Sequence, residues 1–270
     1  EKYENTLTKI SGDIVYDKGI KEIVGDDSTE ITYVQESTKL TNSVIGIYRG
    51  KNGQIDKAAV IGIYNENNTD FPLGFKENVI ALMSTVLEEG FEEIYISSLH
   101  IIPGHEYKKV THGAYRNKEG FKNIECARPL LYSKEHYDEV VSFIEEIAND
   151  LDKDEALVLM GHGSDHAANS AYVMMQYLMD RNPSTIHSYM GTVEGFPEIE
   201  DVLKEMKSYG YKKVKLMPFM IVAGDHAIND MASDEEDSWK TIFEKEGYEV
   251  ETILKGLGEF ETIRKIFAER

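Results

Sequence analysis

From residue 75 onward, short runs of apolar and β-branched residues alternate with amphipathic segments of helical length, and this alternation constrains the chain more than any other feature. Glu93–Ser97, Ala156–Met160, Ile186–Met190 and Val214–Met217 have the composition of buried parallel strands. Phe75–Glu89, Lys134–Asn149, Ala167–Met179, Glu198–Tyr209, Ser238–Glu246 and Phe260–Ala268 carry apolar residues at three- and four-residue steps, the signature of helices that bury one face. Strand then helix, repeated, predicts an α/β architecture with parallel sheets. Asp165 is a suitable N-cap for the helix at Ala167, and Gly90 and Gly210 stand where left-handed residues close helices.

The first 65 residues show strand-like pieces at Asp13–Tyr16, Glu30–Gln35, Ser43–Tyr48 and Ala58–Tyr64, with no strong amphipathic helix between them. A chain of 270 residues is long enough for two domains. The break falls near Ala127-Arg128-Pro129, where proline interrupts the pattern, giving domains 1–127 and 128–270. Charge narrows the partners. With 49 acidic against 29 basic residues, the formal net charge of −20 repels phosphate backbones and excludes nucleic acid. No run of 18 apolar residues predicts a membrane span. Cys126, the single cysteine, cannot form an internal disulfide. The chain opens at Glu1 without a leader pattern, which leaves two compartments open: the cytoplasm, slightly favoured, and export after removal of a leader.

The site is announced by phase. His162, Glu194 and His226 each follow a predicted strand and are spaced 32 residues apart. One βαβ unit takes about 30 residues, so the three occupy equivalent places at the carboxyl ends of successive strands, where open α/β folds bind ligands. Two imidazoles and a carboxylate suit a divalent metal, Co²⁺, Ni²⁺, Fe²⁺ or Zn²⁺, with coordination positions left open. The flanking glycines Gly161, Gly163, Gly191, Gly195 and Gly224 allow tight turns and close approach of a flat ligand. Against this stands the plainer reading of each residue as a loop side chain bonded to backbone; the shared period favours a shared task.

Other residues rank lower. His166 either supports the site or caps its helix, and Asp225 is placed to orient His226 or an incoming cation. His100, His105 and Glu106 surround Ile101-Ile102-Pro103-Gly104 after another strand. Met174, Met175 and Met179 read as core packing, and Asp234–Asp237 as favourable charge ahead of a helix. No phosphate-binding glycine loop, dinucleotide fingerprint or nucleophile elbow is present.

Three stretches, Met160–Asn169 (MGHGSDHAAN), Gly191–Gly195 (GTVEG) and Met217–Ala232 (MPFMIVAGDHAINDMA), followed by Glu236–Lys240, resemble the anaerobic sirohydrochlorin cobalt chelatases of cobalamin biosynthesis. Leu99–Tyr107 and Lys255–Glu259 fit the same pattern, and the resemblance runs from about Asp70 to the C-terminus. It implies a class II chelatase: two Rossmann-like or flavodoxin-like α/β domains related by a pseudo-twofold, with a tetrapyrrole cleft between them. It also implies that His162 and His226 are catalytic and bind metal, that Glu194 is their acidic partner, and that Glu106 is a further catalytic carboxylate. Residues 1 to 65 depart from the family, which opens with a strand and a hydroxyl-rich turn.

The implied reaction inserts Co²⁺, as substrate, into sirohydrochlorin or a related tetrapyrrole, without an organic cofactor. Lys108, Lys109 and Arg116 are candidates to meet the macrocycle's carboxylates. Two rivals are a non-catalytic or divergent haem-binding protein, compatible with export, and a metal carrier or hydrolase using the same ligands. A homo-oligomer is compatible with all three.

Overall fold

The computed structural model describes residues 40–49, 55–64, 92–116 and 118–269. The chain divides into two units, Glu1–Pro129 with Arg264–Arg270, and Leu130–Ile263. Residues 264–270 group with the first unit, with Ile266 and Phe267 buried.

In the first unit, β1 (Leu40–Arg49), β2 (Ile55–Tyr64), β3 (Glu93–Ser98) and β4 (Asn123–Cys126) form a sheet of order β2-β1-β3-β4. The pair β3·β4 is parallel, with helix α1 (His105–Arg116) in its crossover. The pairs β1·β2 and β1·β3 are antiparallel, so this sheet is mixed where a parallel one was expected. Its physical reason lies in the chain: five residues separate β1 from β2, far too few for a helical crossover. The predicted strands at 13–16 and 30–35 and the predicted helix at 75–89 lie outside the described residues.

The second unit is a regular doubly wound layer. Its strands β5 (Glu155–Gly161), β6 (Ser188–Thr192), β7 (Lys213–Pro218) and β8 (Glu249–Thr252) are all parallel, in the order β6-β5-β7-β8. Every residue of β5 is buried, because helices cover both faces of the central strand. On one face Ala156, Val158 and Met160 meet α4 (Ile199–Met206), α5 (Trp239–Lys245) and the single π turn Ala227–Met231 in one core cluster. The apolar faces of α2 (Lys134–Ala148) and α3 (Ser170–Met179) are buried as well, through Phe143, Ile144, Tyr172, Met175 and Met179.

Caps fix the helix ends. Ser133 accepts from the His136 amide and Ser238 from the Thr241 amide, while Asp201 accepts from the Glu198 amide. Asp165 does not cap as expected. His166 takes that place, its Nδ1 accepting from the Ala168 amide, and the turn Ala167–Asn169 is 3₁₀ before α3 begins. Strand β6 starts at Ser188, two residues later than the sequence pattern predicts, because 184–187 still belong to a turn closed by Thr185 and Ser188 amides. The strand ends at Thr192, so Glu194 sits two residues beyond it. Helix α6 (Glu261–Ala268) ends the described chain.

Candidate metal centre

The order β6-β5-β7 places the strand ends that carry His162, Glu194 and His226 side by side. Past the strands the ladder continues for a few residues, with the Val193 amide donating to Gly161 O (3.0 Å) and the Glu194 amide to His162 O (2.7 Å). On the other side the Phe219 amide donates to Met160 O at 2.7 Å. These bonds carry strand register into the loops, so two ligand-bearing loops are held as firmly as the sheet edge.

Gly163 and Gly195 make that approach feasible. Gly163 has φ +85°, and a Cβ there would lie 2.6 Å from the Gly195 nitrogen and 2.8 Å from the Glu194 carbonyl carbon. A Cβ on Gly195 would meet Asn169 Oδ1 at 2.4 Å. Asn169 staples the two loops, accepting from the Ser164 amide (3.0 Å) and donating to Phe196 O (2.7 Å). Gly161 leaves room for the Tyr172 ring and Gly191 for Trp239. At these four positions the missing side chain admits protein, rather than the flat ligand expected. Burial pushes the Tyr172 hydroxyl up to about 12, so it stays a neutral phenol against the backbone of His162 and Gly163.

His162, Glu194 and His226 each offer a ligand atom, and these atoms lie within 4.8 Å of one another. The imidazole rings are 4.7 Å apart between centroids and nearly perpendicular, at 88°. His162 Nδ1 is 3.0 Å from Gly163 O and 3.8 Å from Glu194 Oε2. With metal–ligand bonds of about 2.0–2.2 Å, tetrahedrally arranged ligand atoms lie about 3.3–3.6 Å apart, so a pair at the 4.8 Å limit closes by a little over an ångström when a cation binds. Three protein ligands leave positions free for water or substrate. A cavity of about 810 Å³ opens beside the cluster and is lined by Asp165, Glu194, Glu198, Glu200, Asp230 and Asp237, with no Lys or Arg among the described residues that line it. Its field favours a hydrated dication and repels a polyanion.

The remaining candidates have other places. Asp225 does not orient His226 as expected: it accepts from Asn229 Nδ2 at 2.9 Å, and the partner of His226 Nδ1 is Asp230. Glu106 stands in the first unit, in the opening turn of α1, where Lys109 Nζ donates to it at 2.7 Å; it is not among the three ligands that converge. Met175 and Met179 are fully buried, in keeping with core packing.

His100 is buried at 4% exposure, with Nδ1 2.5 Å from Ser98 Oγ and Nε2 without a hydrogen-bond partner among the described residues. Burial drives its pKa down to about 3. The native ring is neutral while the unfolded ring protonates below its usual 6.5, so the stability it contributes is complete above pH 6.5 and is lost as pH falls toward 3. The slope there approaches about 1.4 kcal/mol per pH unit. His100→Phe should flatten the fall in denaturant midpoint between pH 6 and 4, and an unchanged slope would show that another group governs acid unfolding.

Fold and site together define a class: an α/β protein whose parallel sheet gathers two imidazoles and a carboxylate at its carboxyl edge, a donor set that could hold a cation. A family model described as cobalt chelatase (CbiK) matches residues 71–270. The chain is 38% identical over 181 residues to the sirohydrochlorin cobaltochelatase of Salmonella typhimurium, covering 66% of this chain and 67% of that protein. It is 32% identical over 188 residues to sirohydrochlorin cobaltochelatase CbiKC of Nitratidesulfovibrio vulgaris, covering 68% of this chain and 66% of that one. This chain therefore belongs to the cobalt chelatase (CbiK) family.

Proposed function

We propose that this protein is a class II metal chelatase that inserts Co²⁺ into sirohydrochlorin. The observation that carries the reading is the convergence of His162, Glu194 and His226 on one cation-sized space at the sheet edge, in a chain whose relatives are sirohydrochlorin cobaltochelatases. The reaction exchanges two pyrrole protons for one dication. It asks the protein to strip water from the metal, hold it weakly enough to release, and take up the protons.

His162, Glu194 and His226 hold Co²⁺ as substrate through an incomplete ligand set, so coordination positions stay available to the incoming pyrrole nitrogens. Glu194 cancels part of the dication's charge. As the metal moves to the macrocycle, the vacated imidazole nitrogens are free to accept the displaced protons. The acidic cavity favours arrival of the cation on its side and disfavours the carboxylate-rich macrocycle there. Glu106 is the further catalytic carboxylate of this reading. Ni²⁺, Fe²⁺ and Zn²⁺ suit the same donors, so the donor set by itself does not select cobalt.

Incubating the protein with sirohydrochlorin and Co²⁺ under anaerobic conditions, and following the macrocycle's absorption, tests this reading. Insertion well above the protein-free rate is expected. A stable complex with haem and no insertion would instead favour a tetrapyrrole-binding protein.

A further inference from the structure

We propose that Asp230 is a positioning residue of the metal centre, fixing the ring of His226 so that Nε2 is the nitrogen offered to the cation. The inference rests on the reading of His226 as a ligand. Asp230 Oδ2 is hydrogen-bonded to His226 Nδ1, one helical turn away in sequence. A ring whose Nδ1 is held by a carboxylate carries its proton there and has Nε2 as its free lone pair, the arrangement by which carboxylates orient metal-bound histidines.

The bland alternative is an ordinary surface ion pair at i,i+4 spacing, and two observations favour a positioning role. The turn bearing the pair is rigid at both ends: Ala227 and Met231, each directly following one member of the pair, are fully buried in the core cluster with Trp239 and Phe243. It is also a π turn, a local geometry rare enough to be concentrated at functional sites. Asp230 itself stays 45% exposed and lines the acidic cavity, so its carboxylate serves the ring without being needed for packing.

His162 makes the contrast. Its Nδ1 is engaged by the neutral carbonyl of Gly163. The two imidazoles thus have unlike supports, and the carboxylate-backed ring is the stronger donor to a dication.

Co²⁺ titration of the full chain, read by the metal's visible absorption bands, tests the assignment in Asp230→Asn, Asp230→Glu and His226→Ala beside the wild type. Asp230→Asn should weaken Co²⁺ binding about 10- to 100-fold and alter the bands. KM for the tetrapyrrole and the melting temperature should be unchanged, and Asp230→Glu, which restores the charge, should recover part of the loss. Wild-type affinity and bands in Asp230→Asn, with His226→Ala impaired, overturn the role of Asp230 while leaving the site intact. Unimpaired binding in His226→Ala instead overturns the metal reading, and the assignment with it. A drop in melting temperature that accounts for the loss, without recovery in Asp230→Glu, overturns positioning in favour of a structural role.

Discussion

Cobalt insertion should fall by more than about 100-fold in His162→Ala and in His226→Ala, and the double variant should be scarcely worse than either single one. The lower bound follows from outer-shell partners: removing a residue that merely orients a ligand costs 10- to 100-fold, so removing the ligand itself costs more. Non-additivity is expected because two ligands left out of three no longer hold the dication in place, and the second loss removes a site that has already failed. The side chains are 39% and 22% exposed, so truncation leaves no large cavity, and stability should change little. Glu194→Gln keeps shape and removes charge; it should lower Co²⁺ affinity while the fold stays intact. Initial insertion rates at saturating tetrapyrrole, with thermal melting as control, decide the matter. An additive double variant would mean that the two rings act in separate steps.

The parts of this molecule legible in the sequence are those where burial is continuous. Strand β5 is apolar throughout because both its faces are covered, and α2 shows its buried Val140, Val141, Phe143 and Ile144 at helical steps. Strands β4 and β8 are hard to read in the sequence because they are four residues long, at the ends of their sheets and only half-covered, so Glu249-Val250-Glu251-Thr252 reads as polar chain. Helix α1 lacks a clear sequence signal because His105, Lys108, Lys109 and Thr111 swamp its four buried positions, one of which is Gly113. The antiparallel start of the first sheet had a cue in Asn52-Gly53, a dipeptide common in hairpin connections between strands.

For the site, the period of 32 residues was legible because parallel crossovers put equal chain lengths between equivalent strand ends. The partner of His226 was not. Adjacency pointed to Asp225, and only a helical turn between His226 and Asp230 brings the latter's carboxylate to the ring. His166 takes the capping role, one of the two expected of it, with its backbone extended at φ −74° and ψ 147°.

Gly163→Ala should couple stability to metal binding in a way that Gly210→Ala does not. Both glycines have positive φ, +85° and +72°, so a methyl group at either position costs about 1–2 kcal/mol of backbone strain. Their surroundings differ. Nothing lies within 4 Å of a Cβ on Gly210, whereas a Cβ on Gly163 overlaps the backbone of Glu194 and Gly195. Backbone cannot rotate away as a side chain can, so the His162 and Glu194 loops must separate and the bond from the Glu194 amide to His162 O must stretch. Gly163→Ala is therefore expected to lose roughly 3 kcal/mol or more in denaturant unfolding, strain and overlap together, and to weaken Co²⁺ binding. Gly210→Ala should show the strain alone and bind Co²⁺ as the wild type does. If Gly163→Ala melts lower yet keeps full Co²⁺ affinity, the apposition of these two loops is a feature of the fold and not of the metal centre.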